Sequence, residues 1–210
     1  CVKTLRKVFP GKTLKVESYS FSRSENKEVL DKAGFSIIGA CTAYITQIED
    51  EESNLKKFHA SHRQDTREAI RESYEYRTDI ELDEYILLSD ETYARSGKPS
   101  GIALKELKRW KSVWKNNLLI SGVYAENIPI AMTLIPFVGK KAIYWHGASA
   151  SNKLRGATTY VHLKNMEYLK DRGVEQYDFG GASIKIPIGE DIEYSDEKGK
   201  IYAGGQPEPA

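Results

Sequence analysis

An α+β fold, with a central, mainly antiparallel mixed sheet and helices on both faces, follows from changes of pattern along the 210 residues. Between residues 51 and 116 apolar side chains recur near helical spacing, but from Leu118 to Trp145 they gather into three short runs. Glu126-Asn127 and Gly139-Lys140 separate those runs as hairpin turns would. A helix-spaced stretch and a further strand follow, so the second half reads β-β-β-α-β.

Taken in order, Lys12 to Ser22 alternates through Leu14, Val16, Tyr19 and Phe21 as an edge strand would, and Ser24 to Lys32 reads as a short polar helix ended by Gly34. Phe35 to Ile48 is apolar and β-branched with Gly39 inside it, which predicts a buried strand with a bend. Glu51 to Tyr76 carries Leu55, Phe58, His62, Ala69, Ile70 and Tyr74, a long helix with Ser53 as its N-cap and a break near Ser61. A second helix spans about Asp83 to Arg95 and stops at Gly97 before Pro99. A third runs from Leu104 to Asn116, with Leu107, Trp110, Val113 and Trp114 on one face.

Leu118 to Tyr124, Ile128 to Val138 and Lys141 to Trp145 form the meander, Thr158 to Asp171 the following helix capped by Gly173, and Val174 to Phe179 the last strand. Beyond Ser183 the chain turns polar; a hairpin between residues 184–188 and 192–202 is expected, then an unfolded GGQPEPA. The domain division read from this is an extension over 1–40, a main α+β domain over 41–186 and a flexible or hairpin tail over 187–210.

Lys and Arg number 31 against 30 Asp and Glu, a net charge of +1, so no global field draws nucleic acid, DNA included, or an anionic membrane, and any anion must be met locally. No apolar run approaches the roughly 20 residues of a membrane span, and CVKTLRKVFPG lacks the apolar stretch of a signal peptide. Cys1 and Cys41 form neither a disulfide framework nor a metal-ligand pattern. A soluble, cytoplasmic protein without a bound metal is the expectation.

Two kinds of residue could carry chemistry. Cations are the first: Lys153, Arg155 and Gly156 lie in a loop before a helix, where backbone N–H groups could cradle a phosphate, and Arg63, Arg67 and Arg71 share one helix face as an anion clamp. A plain loop and a solvated face pairing with Asp65, Glu68 and Glu72 are the bland alternatives. Titratable groups are the second: Asp178 ends a strand and points opposite Tyr177 and Phe179, and His146 ends a neighbouring strand. Either group could take or orient a proton, and no G-x-S-x-G elbow offers a covalent nucleophile. Trp110, Trp114 and the many tyrosines are assigned to packing, and Lys164 is expected to face water.

The stretch YWHGASASNKLRGATTYVHLKNMEYLKDRGVEQYDFGGAS, residues 144–183, resembles the GNAT-like domain of Fem-type aminoacyltransferases. A strand closing in an aromatic and Gly-Ala-Ser, an Arg-bearing loop, a helix, a glycine and a strand ending Tyr-Asp-Phe-Gly-Gly occur in that order. HASHRQDTREAIR is similar to the family's basic helix, and GVYAENIPIAMTLI to its strand-turn-strand. The resemblance implies transfer of an acyl or aminoacyl group to an amine of a cell-envelope or sugar precursor, in peptidoglycan assembly for the Fem type. It implies acyl-CoA or aminoacyl-tRNA as co-substrate, an anionic or lipid-linked acceptor, and Tyr144 and Tyr177 beside the substrate. The family carries two such domains and a Phe-Lys element after the Gly-Gly strand; this chain has room for about one domain and lacks that element. The rival reading is a degenerate GNAT-like domain that binds without catalysis, and a cleft joining Arg155, Asp178 and His146 would decide between them.

Overall fold

The computed structural model describes residues 32–34, 40–78, 80–99, 101–151, 154–186, 192–194 and 201–203. The expected strand at 12–22, most of the helix at 24–32 and the terminal GGQPEPA lie outside the described residues. Two compact units emerge, one over Thr46–Phe179 and one collecting Cys1–Ile45 and Gly180–Ala210.

In the first unit two short helices, α1 (Glu51–Lys57) and α2 (Ala60–Arg71), lead into the edge strand β2 (Glu75–Arg77), and α3 (Leu82–Ala94) and α4 (Leu104–Trp114) follow. The strands β3 (Leu118–Ala125), β4 (Ile128–Val138), β5 (Lys141–Ile143) and β6 (His146–Ser149) come next, then α5 (Ala157–Lys170) and β7 (Gln176–Ile186). Sheet order is β7-β5-β4-β3-β2, with β6 also on β4. All of these pairs are antiparallel except β5 with β7, which α5 joins as a crossover. The second unit holds the remainder of β1 (Ala40–Gln47) and of β7, neighbours in the sheet order, and the hairpin β8 (Ile192–Tyr194) with β9 (Ile201–Ala203).

Strand alternation sends successive side chains to opposite layers. Leu118, Ile120, Met132 and Leu134 pack with Tyr85 and Leu88 of α3 and Leu107 of α4. Leu119, Ile135 and Phe137 pack with Leu163, Met166 and Leu169 of α5 and Leu55 of α1, while Ala69 of α2 joins Val123, Ala131 and Val161. Where polar side chains enter this core they answer one another: Ser121 bonds Thr133 at 2.7 Å, and Asn165 donates to Thr133 at 2.9 Å and accepts from the Tyr76 hydroxyl at 2.9 Å.

Several expectations need correction. The helix read over 51–76 does break, but at Phe58 and His59 rather than near Ser61, and it ends at Arg71; Ser73 then takes φ 55° and the chain turns into β2. The N-cap of α1 is Asp50, whose carboxylate accepts from Ser53 N–H, rather than Ser53 itself. The run 141–145 is not one strand, because it breaks after Ile143 and restarts at His146. Lys164 does not simply face water: it ties α5 to α1 through Glu51 at 2.9 Å and also bonds Glu167 at 2.7 Å. Burial works against its charge, but those two carboxylates outweigh it and hold its pKa up.

Candidate functional site

The break after Ile143 is a fork in the sheet. As far as Tyr144 the chain follows β7: Ile143 lies opposite Asp178, and Tyr144 N–H donates to the Asp178 carbonyl at 2.7 Å. One residue later Trp145 N–H turns to the Leu134 carbonyl at 3.0 Å, and His146 to Ser149 pair with β4. The irregularity lets two consecutive side chains, Trp145 and His146, turn to the same α3–α4 layer.

His146 is held there by two tyrosines of α3. Its Nδ1 lies 2.7 Å from the Tyr85 hydroxyl and its Nε2 3.0 Å from that of Tyr93, whose ring stacks on the imidazole at 5.6 Å and 4°. Burial pushes its pKa below the usual histidine range, so the ring is neutral at pH 7. A neutral imidazole has one N–H and one bare nitrogen; in either tautomer one hydroxyl therefore donates to it and the other accepts. Tyr85 is fully buried and Tyr93 half-exposed, so the chain of bonds meets solvent at Tyr93. Gly101 makes room for the Tyr93 ring, which a Cβ there would strike, and Gly147 does the same for the Tyr144 hydroxyl. Neither Tyr85 nor Tyr93 stood out as a site residue in the sequence; their spacing of eight marks one helix face, but nothing in it shows that β6 lies beneath.

Asp178 is 3% exposed. Its neighbours Tyr177 and Phe179 pack on the α5 side, so alternation turns Asp178 toward the layer that holds His146. Tyr177, expected beside a ligand, is fully buried, with its hydroxyl 2.8 Å from Nδ1 of His162. His162 is itself enclosed by the rings of Tyr144, Tyr177 and Phe179, and burial lowers its pKa to about 4. Tyr144 stands half-buried between that cluster and the fork.

Two of the three arginines of the expected clamp meet the protein's own groups. Arg63 donates to the carbonyls of Lys56 and Phe58 at 3.1 and 3.3 Å, which caps the end of α1. Arg67 lies 3.9 Å from Glu52, and Arg71 is exposed at the last turn of α2. Arg155 bridges to Asp65 at 3.1 Å and Glu68 at 3.3 Å, so it binds α5 to α2. Gly156, the N-cap of α5, has φ 75° and sits so close under the Asp65 carbonyl that a Cβ would collide with it. Thr66 donates to Thr159 at 2.7 Å across the same seam. Lys153 lies outside the described residues. Among the described residues no group of three or more His, Cys, Asp or Glu side chains could hold a metal ion, and no helix is long and apolar enough to cross a membrane.

No family model matches the sequence. Over 65 residues it is 35% identical to the lipid II:glycine glycyltransferase of Staphylococcus saprophyticus, a stretch that covers 30% of this chain and 15% of that protein. In three dimensions it is similar to FemX, with a TM-score of 0.70 at 15% identity over 86% of this chain, and it spans 66% of the FemX chain. The L-PGS of Bacillus licheniformis matches with a TM-score of 0.57 at 15% identity, over 82% of this chain and 54% of that one. With its forked, mainly antiparallel sheet, its α5 crossover and these likenesses, the chain has a GNAT-like fold similar to that of the Fem-type aminoacyltransferases.

Proposed function

We propose that this chain is the transfer domain of an enzyme that passes an aminoacyl group to an amine of a lipid-linked, anionic cell-envelope precursor, working in the cytoplasm with an aminoacyl ester of RNA as donor. The likenesses to a lipid II:glycine glycyltransferase and to FemX support the reaction class. The observation that carries the choice of donor is the seam between α2 and α5. A coenzyme A pyrophosphate needs the bare N–H groups at a helix N-terminus. Here that end of α5 lies under the Asp65 carbonyl, and the carboxylates of Asp65 and Glu68 hold Arg155 beside it. A pyrophosphate would have to part that arginine from two carboxylates and then face them.

In this reading Asp178 orients or deprotonates the amine, and the neutral His146 reaches the reacting groups through Tyr93. Calorimetric titration of the chain with acetyl-CoA and with a short aminoacylated RNA tests the donor: saturable binding of the RNA ester is expected, and saturable binding of acetyl-CoA alone overturns it. One observation favours the rival, a GNAT-like domain that binds without catalysis. Arg155 is committed to α2 while His146 is committed to α3, so the cleft that was to join them with Asp178 is missing one member.

A further inference from the structure

Exposed cations without an ion-pair partner gather on α4, which reads LKELKRWKSVW. Lys105, Lys108, Arg109 and Lys111 stand against Glu106 alone, so four cations less one carboxylate give this helix +3, and the remainder of a chain with net charge +1 sums to −2. All four are exposed, and among the described residues none makes an ion pair. A charged helix face is most often only solvated, and a second feature sets this one apart. Trp110, between Arg109 and Lys111, packs its ring against Trp145 with centroids 4.4 Å apart and planes at 30°. Trp145 is nevertheless 39% exposed, and it immediately precedes His146 at the fork.

An accessible indole backed by a second indole on a helix rich in exposed cations is what single-stranded nucleic acid binds, with its phosphates on the cations and a base on the ring. A lipid surface fits less well, because Leu107, Trp110 and Trp114 face the core and Val113 is the one large apolar side chain that α4 exposes. We infer that α4 and Trp145 form the docking surface for the single-stranded end of an RNA donor, its last bases stacked on Trp145 and its phosphates on Lys108, Arg109 and Lys111. The inference rests on the donor proposed above and adds where that donor sits: a base on Trp145 brings the end of the RNA to the fork, beside His146.

The test is a fluorescence-anisotropy titration of the 210-residue chain with a labelled short single-stranded RNA at several salt concentrations, with phosphatidylglycerol vesicles in parallel. Binding that weakens with salt is expected. Trp145→Ala should weaken it about tenfold with the salt slope kept. Arg109→Glu should weaken it and flatten the slope, whereas Lys170→Glu, the same charge change at an exposed position of α5 across the sheet, should leave it near the parent value. Circular dichroism melts confirm that each variant folds. If the parent binds RNA and all three variants match it, the surface is wrong and the donor reading stands. Binding of acetyl-CoA without RNA defeats both, and vesicle binding without RNA binding replaces this surface with a lipid-facing one.

Discussion

The two layers that cover the sheet use their charges in opposite ways. On the α2–α5 side Arg63, Arg67, Arg155 and Lys164 each meet a carbonyl or carboxylate of a neighbouring element, and they act as fasteners between helices. On the α3–α4 side the cations of α4 make no ion pair among the described residues, and the buried polar chain is a histidine held between two tyrosines. Helical spacing along the sequence favours the first side for anion binding, while the packing favours the second. Availability belongs to tertiary structure: an arginine facing a second helix is consumed by it, and one facing outward is not.

The hardest blow to the α2–α5 side falls at Gly156. Gly156→Val places a side chain against the Asp65 carbonyl at a φ that β-branched residues avoid, so about 4 kcal/mol or more of stability should be lost, or the chain should fail to fold. Denaturant melts of the variant check this. A near-parental midpoint would mean that α2 can lift away from α5, and with that the argument against a pyrophosphate site would weaken.

Acid separates the same layers through their histidines. His162 has its pKa lowered by burial to about 4, against an unfolded value near 6.5, so the unfolded chain binds the proton first. Its contribution to stability is therefore complete above pH 6.5 and lost as the pH falls from there toward 4, by about 3 kcal/mol. The His162→Phe variant should start less stable, because Tyr177 loses its Nδ1 partner, yet show a flatter acid limb in thermal melts. His146 is lowered for the same reason and adds in the same direction.

Asp178 is the corresponding probe of the α3–α4 side. Asp178→Asn keeps the shape and should lower aminoacyl transfer by about a hundredfold with folding intact. If the variant instead loses about 1 kcal/mol of stability and stays active, Asp178 is a structural hydrogen-bonding residue and leaves the catalytic proposal.

Much of this architecture is legible in the sequence where local rules decide it. The ends of α3 and α5 fall within about a residue of the readings from Gly97, Gly173 and helical spacing, and the β3–β4 hairpin turns at Glu126-Asn127 as expected. The failures share a cause. Ser73 ends α2 with a positive φ that its residue type does not advertise, so β2 went unseen. The fork at Tyr144-Trp145 lies inside an unbroken apolar run, because the switch from β7 to β4 is a matter of partners rather than residue types. Spacing put Arg63, Arg67 and Arg71 on one face correctly and could not say what that face meets. The same limit hid the tyrosines around His146.

The smallest effect separates two cations on the same seam. Arg155 is 66% exposed on its side chain while Lys164 is 23% exposed, although each bridges two carboxylates. Water screens the first pair, so Arg155→Ala should cost a few tenths of a kcal/mol, the usual yield of an exposed ion pair. Lys164→Ala removes the less exposed of the two cations, together with its hydrogen bonds to Glu51 and Glu167, and on the order of 1 kcal/mol should be lost. Raising the salt should shrink the Arg155 effect further and leave most of the Lys164 effect in place. Urea midpoints at low and high salt read both variants. If Arg155→Ala proves the more damaging, Arg155 is a principal clasp of α2 on α5 despite its exposure, and the contrast between fasteners and free cations sharpens; equal and negligible effects would say that Gly156 and the Thr66–Thr159 bond close the seam by themselves.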